Sequence, residues 1–235
     1  MDIQQLINFD QQLLLKLNGS DSLFWDGFMW VVTDTKTWIP VAITLLYIIF
    51  KNNKWQQGLI ILFMIALVIL LADYTASGIC KPFFARYRPT RDPELMYMVE
   101  TVNNYRGGLY GFISSHASNT FAVATLLSLI VGNIWLTVTM FSWAIIPTYS
   151  RVYLGVHYPG DVLFGALDGI ICGVLVFMLY SFICRRYFIK QRYISAQYTQ
   201  NGYDIQSINV LTLVLFLTYF FAVIAGMIVS KQLYF

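Results

Sequence analysis

Hydrophobic positions along this chain fill whole stretches instead of recurring at a surface-helix period. Six stretches of helical length are nearly free of charge, at about 37–51, 56–79, 114–131, 134–149, 159–184 and 208–230. About 20 mainly apolar residues cross the hydrocarbon layer, so each stretch predicts a transmembrane helix. The first is short, and the aromatic stretch Ser22–Thr33 extends it. Gly132-Asn133 makes a tight turn between the third and the fourth. Connections this short predict antiparallel neighbours in a bundle. Ahead of the spans, Ile3, Leu6, Ile7, Leu13, Leu14 and Leu17 recur at roughly helical spacing among Gln and Asp. That pattern predicts an amphipathic helix able to lie along the bilayer surface. The expected fold is all-α: a polytopic membrane helical bundle of about six transmembrane helices plus an N-terminal amphipathic helix. A single domain over residues 1–235 is expected.

Composition excludes a soluble domain. Of the residues, 58% are hydrophobic and 11% charged, against about 25% charged in a typical soluble chain. A net charge of +3 gives no reason to expect nucleic acid as a partner. Met1–Lys16 lacks a basic region followed by a continuous apolar one, so no cleavable signal peptide is expected. Cys80, Cys172 and Cys184 are scattered, with neither zinc-site nor redox-pair spacing. They are expected to pack as small hydrophobes.

The basic residues change the picture. Lys51 and Lys54 follow the first span; Arg185, Arg186, Lys190 and Arg192 follow the fifth. Alternating spans put both groups on one side, which reads as cytoplasmic. The polar segment Lys81–Ile113 and the link Ser150–Tyr158 then share the opposite face. Yet they carry Lys81, Arg86, Arg88, Arg91, Arg106 and Arg151. Positive charge on that face has to serve something other than topology.

The same face holds the two histidines of the chain, His116 at the start of the third span and His157 in the link. Lys81, Arg88 and Arg151 can surround a phosphoryl group, Arg as a planar fork and Lys as a point charge. Ser114 and Ser115 stand at a helix start, where unpaired N–H groups and the dipole favour an anion. His157 and Asp161 lie four apart, with Pro159 suited to the first turn of a helix. Asp161 can then accept the imidazole Nδ1–H and leave Nε2 free to attack phosphorus. His116 is the remaining acid or base. Asp73 and Asp168 fall inside spans, where ionisable groups are costly; internal hydrogen bonding is expected of both.

These segments resemble the three signature blocks of the type 2 phosphatidic acid phosphatase (PAP2) superfamily. The blocks are Lys, six residues, Arg-Pro; then Pro-Ser-Gly-His; then Ser-Arg, five residues, His, three residues, Asp. Lys81 to Arg88-Pro89 fits the first, and Ser150-Arg151, His157 and Asp161 fit the third. In the second, Ile113 and Ser115 replace Pro and Gly, while Ser114 and His116 remain. Ser keeps the backbone N–H as long as the turn does not need a positive φ. The resemblance covers about residues 55–185.

It implies a phosphohistidine mechanism that uses no metal and no cofactor. His157 would attack the phosphoryl group, Asp161 would fix its tautomer, and His116 would protonate the leaving oxygen and then activate water. Lys81, Arg88, Arg151, Ser114 and the Ser115 N–H would hold the phosphoryl oxygens. The implied substrate is a lipid phosphate or diphosphate in the bilayer: undecaprenyl diphosphate, lipid A, phosphatidylglycerol phosphate or phosphatidic acid. No obligate protein partner is implied. The compact chain resembles bacterial members, which implies the inner membrane with the site on its periplasmic or outer face. The rival classes are a small anion transporter and a catalytically inactive lipid-binding relative. A polar cluster at span ends, not at the bilayer midplane, favours the enzyme over the transporter.

Overall fold

A computed structural model describes residues 2–188 and 196–233. Lys190 and Arg192, two of the residues expected to mark the cytoplasmic face, lie outside the described residues. The described chain is helical, with isolated bridges in place of strands. The helices are α1 (Ile3–Leu17), α2 (Leu23–Thr33), α3 (Ile39–Asn52), α4 (Trp55–Asp73), α5 (Lys81–Phe84), α6 (Ser115–Val131), α7 (Ile134–Tyr153), α8 (Pro159–Tyr187) and α9 (Ile205–Ser230).

Among the described residues three rods are long and apolar enough to cross a membrane: Trp55–Phe84, α8 and α9. The predicted first span is two limbs, α2 and Thr35–Asn52 (which contains α3), bent by 69° at Asp34; taken together they make a fourth. The remaining two predicted spans are present as α6, an apolar helix of 17 residues, and α7, of 20 residues. The rod Trp55–Phe84 joins α4 to α5 through a π-helical segment, Tyr74–Cys80, and runs past the predicted end at 79. Pro82 has no N–H to give and ordinarily breaks a helix. Here the register has already widened, with the Lys81 N–H reaching Ala76 O.

The bundle closes around α6, whose tightest partner is α8. Gly165, Gly169 and Gly173 form a four-residue ladder on α8 that faces α6. A Cβ at Gly165 would lie 3.0 Å from Ala117 Cβ, one at Gly169 2.9 Å from Ala122 N, and one at Gly173 2.7 Å from Thr125 Cβ. Small residues let membrane helices approach where lipid offers no hydrophobic drive. Gly27 and Gly226 make a similar crossing of α2 and α9. The outer faces of the rods stay apolar: Phe63, Leu70, Phe182 and Phe216 are exposed. Such a surface faces lipid, not water.

At one end of the bundle the chain between α5 and α6 folds back on itself. Arg88 N–H donates to Leu109 O at 3.0 Å and Gly111 N–H to Arg86 O at 2.9 Å. This clasp carries Arg86 and Arg88 over the start of α8. The N-terminal helix α1 packs on the same end. Asp2 and Gln5 form its capping box, and Leu14 is buried with Leu95, Val99, Val152 and Tyr158. Ile3, Leu6 and Phe9 remain exposed. The amphipathic helix is thus anchored to the protein through the C-terminal part of its apolar set, Leu14 and the partly buried Leu17.

Candidate active site

The segments expected to converge do so. Lys81 comes from α5, Arg88 from the clasp, Ser114 and His116 from the start of α6, Arg151 from the end of α7, His157 from the α7–α8 link and Asp161 from the first turn of α8.

His157 is buried at 1% exposure, and its two ring nitrogens have different neighbours. Nδ1 lies 3.4 Å from Asp161 Oδ2, and Nε2 lies 3.2 Å from Arg88 Nη1. A guanidinium can only donate, so Nε2 is the acceptor and the ring hydrogen sits on Nδ1, facing the carboxylate. Burial, reinforced by Arg88, Arg151 and Lys81, holds the imidazole well below its ordinary 6.5, so it is neutral. A neutral ring with its lone pair on Nε2 is the form a nucleophile needs. The Asp161 contact is longer than an ordinary hydrogen bond, as catalytic contacts commonly are before substrate arrives. Asp161 is fully buried; its Oδ2 also accepts the Tyr158 N–H at 3.1 Å.

The cations crowd one another. Arg88 donates through Nε to Tyr110 O at 3.0 Å and through Nη1 to Val156 O at 3.2 Å. Burial and the neighbouring Arg151 hold its pKa below the usual guanidinium range. Gly107, at φ +63°, lies against it: a Cβ there would come within 3.0 Å of Nη1. Arg151, 3% exposed, donates to Thr33 Oγ1 at 2.7 Å and Tyr105 Oη at 3.2 Å. Its Nε has no partner among the described residues. An orphaned buried donor is costly, and an anion here would satisfy it. Lys81 Nζ donates to Ser77 Oγ at 2.9 Å and to Ser115 Oγ at 3.1 Å.

The helix-start serines differ. Ser114 is the buried N-cap of α6: its Oγ accepts from Ala117 N, and its own N–H donates to Asp161 O at 2.9 Å. That N–H therefore ties α6 to α8. Ser115 opens α6 without a positive φ, so its replacement of Gly strains nothing and supplies the hydroxyl that holds Lys81. His116 is half-buried, and Arg151, His157, Arg88 and Lys81 are its charged or titratable neighbours.

Asp168 accepts from Thr75 Oγ1 at 2.8 Å and from Ser118 Oγ at 2.5 Å, the internal bonding expected of it. Asp73 accepts from Ser77 Oγ at 3.3 Å, on an exposed face. Sequence reasoning missed four contributors: Asp10, Arg86 in its pairing role, Thr33 and Tyr105. Arg86 bridges Asp161 Oδ1 at 3.0 Å and Asp10 Oδ2 at 2.8 Å. No local spacing connects those positions. A mid-helix polar Asp on α1 was the one available hint.

A family model described as the PAP2 superfamily matches residues 57–185. A lipid A 4′-phosphatase of Bacteroides thetaiotaomicron is 40% identical over 75% of this chain and 79% of its own length. A lipid A 4′-phosphatase of Porphyromonas gingivalis is 35% identical over 79% and 78%. Among solved structures, Aquifex aeolicus LpxE superposes with a TM-score of 0.55 at 28% identity, covering 71% of this chain and 93% of that one.

Proposed function

The chain belongs to the PAP2 superfamily and is a membrane lipid phosphatase; from that premise we propose that His157 is its nucleophile and a phosphate ester of lipid A its substrate. The observation that carries the chemistry is the pair of contacts on the imidazole, Asp161 at Nδ1 and Arg88 at Nε2. The substrate class draws on the two lipid A 4′-phosphatases to which the chain is similar.

In the first step the Nε2 lone pair forms a bond to phosphorus while the bond from phosphorus to the lipid oxygen breaks. His116, entering as the acid, gives its proton to that leaving oxygen. The imidazole becomes cationic, and Asp161 stabilises it across the Nδ1–H. In the second step water attacks phosphorus, His116 takes its proton, and the P–N bond breaks to release phosphate and neutral His157. Arg88, Arg151, Lys81 and the serines hold the equatorial oxygens; in phosphoryl transfer the protein's work is mainly positioning and charge stabilisation. Arg151 Nε is a buried donor with no partner among the described residues, ready for such an oxygen.

The site face is proposed to be the periplasmic one. Supporting this, Lys51 and Lys54 lie at the other end of the bundle, where Lys51 pairs with Asp204 at 3.0 Å. The test is phosphate release by purified protein from lipid A, undecaprenyl diphosphate, phosphatidylglycerol phosphate and phosphatidic acid, with and without EDTA. Mass spectrometry of the lipid product assigns the position. Release from lipid A is expected to lead the panel and to persist in EDTA. Faster release from undecaprenyl diphosphate would overturn the substrate assignment, and no release from any of the lipids would overturn the reaction.

A further inference from the structure

Asp10 and Arg86 occupy no signature position, yet they close a chain of charges onto the candidate nucleophile. We propose that both are positioning residues for phosphoryl transfer: Arg86 aims Asp161 at His157, and Asp10 offsets the charge of Arg86 so that Asp161 keeps its effect on the imidazole. The inference rests on the phosphatase reading above.

The geometry is specific. Arg86 Nη1 lies 3.0 Å from Asp161 Oδ1, and Nη2 lies 2.8 Å from Asp10 Oδ2. The guanidinium sits 3.8 Å above the Tyr158 ring, so its plane is held from below. Asp10 Oδ1 accepts the Gly160 N–H at 2.7 Å, at the N-terminal end of α8 just ahead of Asp161. A Cβ at Gly160 would come within 2.7 Å of the Asp10 carboxylate, so glycine lets α1 approach this closely. The side chains of Asp161, Asp10 and Arg86 are 0%, 15% and 25% exposed. One helical turn past Asp10, Leu14 is fully buried, which fixes the seat of α1.

With Oδ1 committed to Arg86, the other Asp161 oxygen is left to face His157. That aiming has an electrostatic cost, because Arg86 alone would cancel the charge of Asp161. Asp10 restores it: two carboxylates and one guanidinium carry a net charge of −1. The other titratable and charged groups facing His157 are Lys81 on α5, Arg88 on the clasp, Arg151 on α7 and His116 on α6. None of them is acidic. A positive charge developing on the imidazole therefore depends on this one anionic group.

The test compares wild-type, Asp10→Asn, Arg86→Met and the double variant, by phosphate release from lipid A and by inhibition with vanadate and inorganic phosphate. Asn keeps an oxygen for the Gly160 N–H, so α1 stays seated while the charge of the group goes to 0. The double variant returns it to −1. Asp10→Asn is expected to lose roughly tenfold or more in kcat with KM nearly unchanged, the sign of an interaction made in the transition state. Vanadate inhibition should weaken in proportion, and phosphate inhibition should not. The double variant should be faster than Asp10→Asn, which loss of mere structural support cannot produce. Asp10→Glu, which keeps the charge at a longer reach, should recover part of the kcat lost in Asp10→Asn. Wild-type kcat in Asp10→Asn, or a double variant no faster than it, overturns the proposal. If Asp10→Asn does not accumulate, Arg86→Gln decides instead: kcat must fall with KM held, and an unchanged kcat overturns the proposal. A wild-type protein inactive on every lipid phosphate overturns the phosphatase reading, and this inference with it.

Discussion

Replacing Asp161 with Asn removes one charge and almost no volume. The carboxylate is fully buried, 3.4 Å from His157 Nδ1 and 3.0 Å from Arg86. At that 3.4 Å separation, a unit charge on the imidazole interacts with the carboxylate by about 5 kcal/mol at an effective dielectric near 20. That sets the upper bound, since the amide dipole recovers part of it. The lower bound is a lost hydrogen bond to a charged group, about 1.5 kcal/mol. With about 1.4 kcal/mol per decade, kcat should fall between about 10 and 10⁴-fold. The assay is single-turnover release of phosphate from lipid A in detergent micelles, with a thermal melt to show that the variant is folded. Binding of substrate should change little, because the imidazole is neutral before the reaction. A folded Asp161→Asn protein with near wild-type kcat would refute the reasoning that assigns the charge-stabilising role to this residue.

Four further outcomes are expected. Folding lowers the His157 pKa well below 6.5, so its contribution to stability is complete above about pH 6.5 and is lost as pH falls towards the folded value. Between about pH 6.5 and 5 the wild-type unfolding free energy, followed by melts across that range, should fall more steeply than that of His157→Gln, by up to about 1.4 kcal/mol per pH unit. Gly169→Leu would drive a side chain into Ser118 O and Ala122 N, and should cost about 1–3 kcal/mol or more as lost folded protein. Gly108→Ala, with nothing within 4 Å of the added carbon, should leave expression and melting unchanged. Ser115→Gly removes the hydroxyl that holds Lys81 at 3.1 Å; KM should rise about two- to tenfold with kcat kept, measured by steady-state phosphate release.

The signature residues were readable because their chemistry is spaced locally: His157 and Asp161 are one turn apart, and Lys81 and Arg88 flank one short segment. Apolar stretches likewise placed the helices to within a few residues. Their ends were less readable. Arg151 was assigned to the link after the fourth span, yet it is buried inside the last turn of α7. The bend between α2 and α3 was hidden because both halves are apolar. The glycine ladder at 165, 169 and 173 was present as a four-residue repeat, but a long apolar run masks any period within it. Asp10 and Arg86 were out of reach for a different reason. They lie 76 residues apart, and only the fold of the clasp and the seating of Leu14 bring them together.

The π-helical segment Tyr74–Cys80 has one more consequence. An extra residue in a helical turn corresponds to about 100° of rotation and 1.5 Å of rise. Below the segment the rod is phased to mesh with α6 and α8; above it, the same rod is phased to point Lys81 at Ser115. Grip and aim are thereby set by different residues of one continuous helix. Deleting a single residue between Tyr74 and Cys80 would leave the lower meshing untouched and swing the lysine off its target. The segment works like the indexing ring of a dial: the axle stays seated while the pointer takes its own bearing.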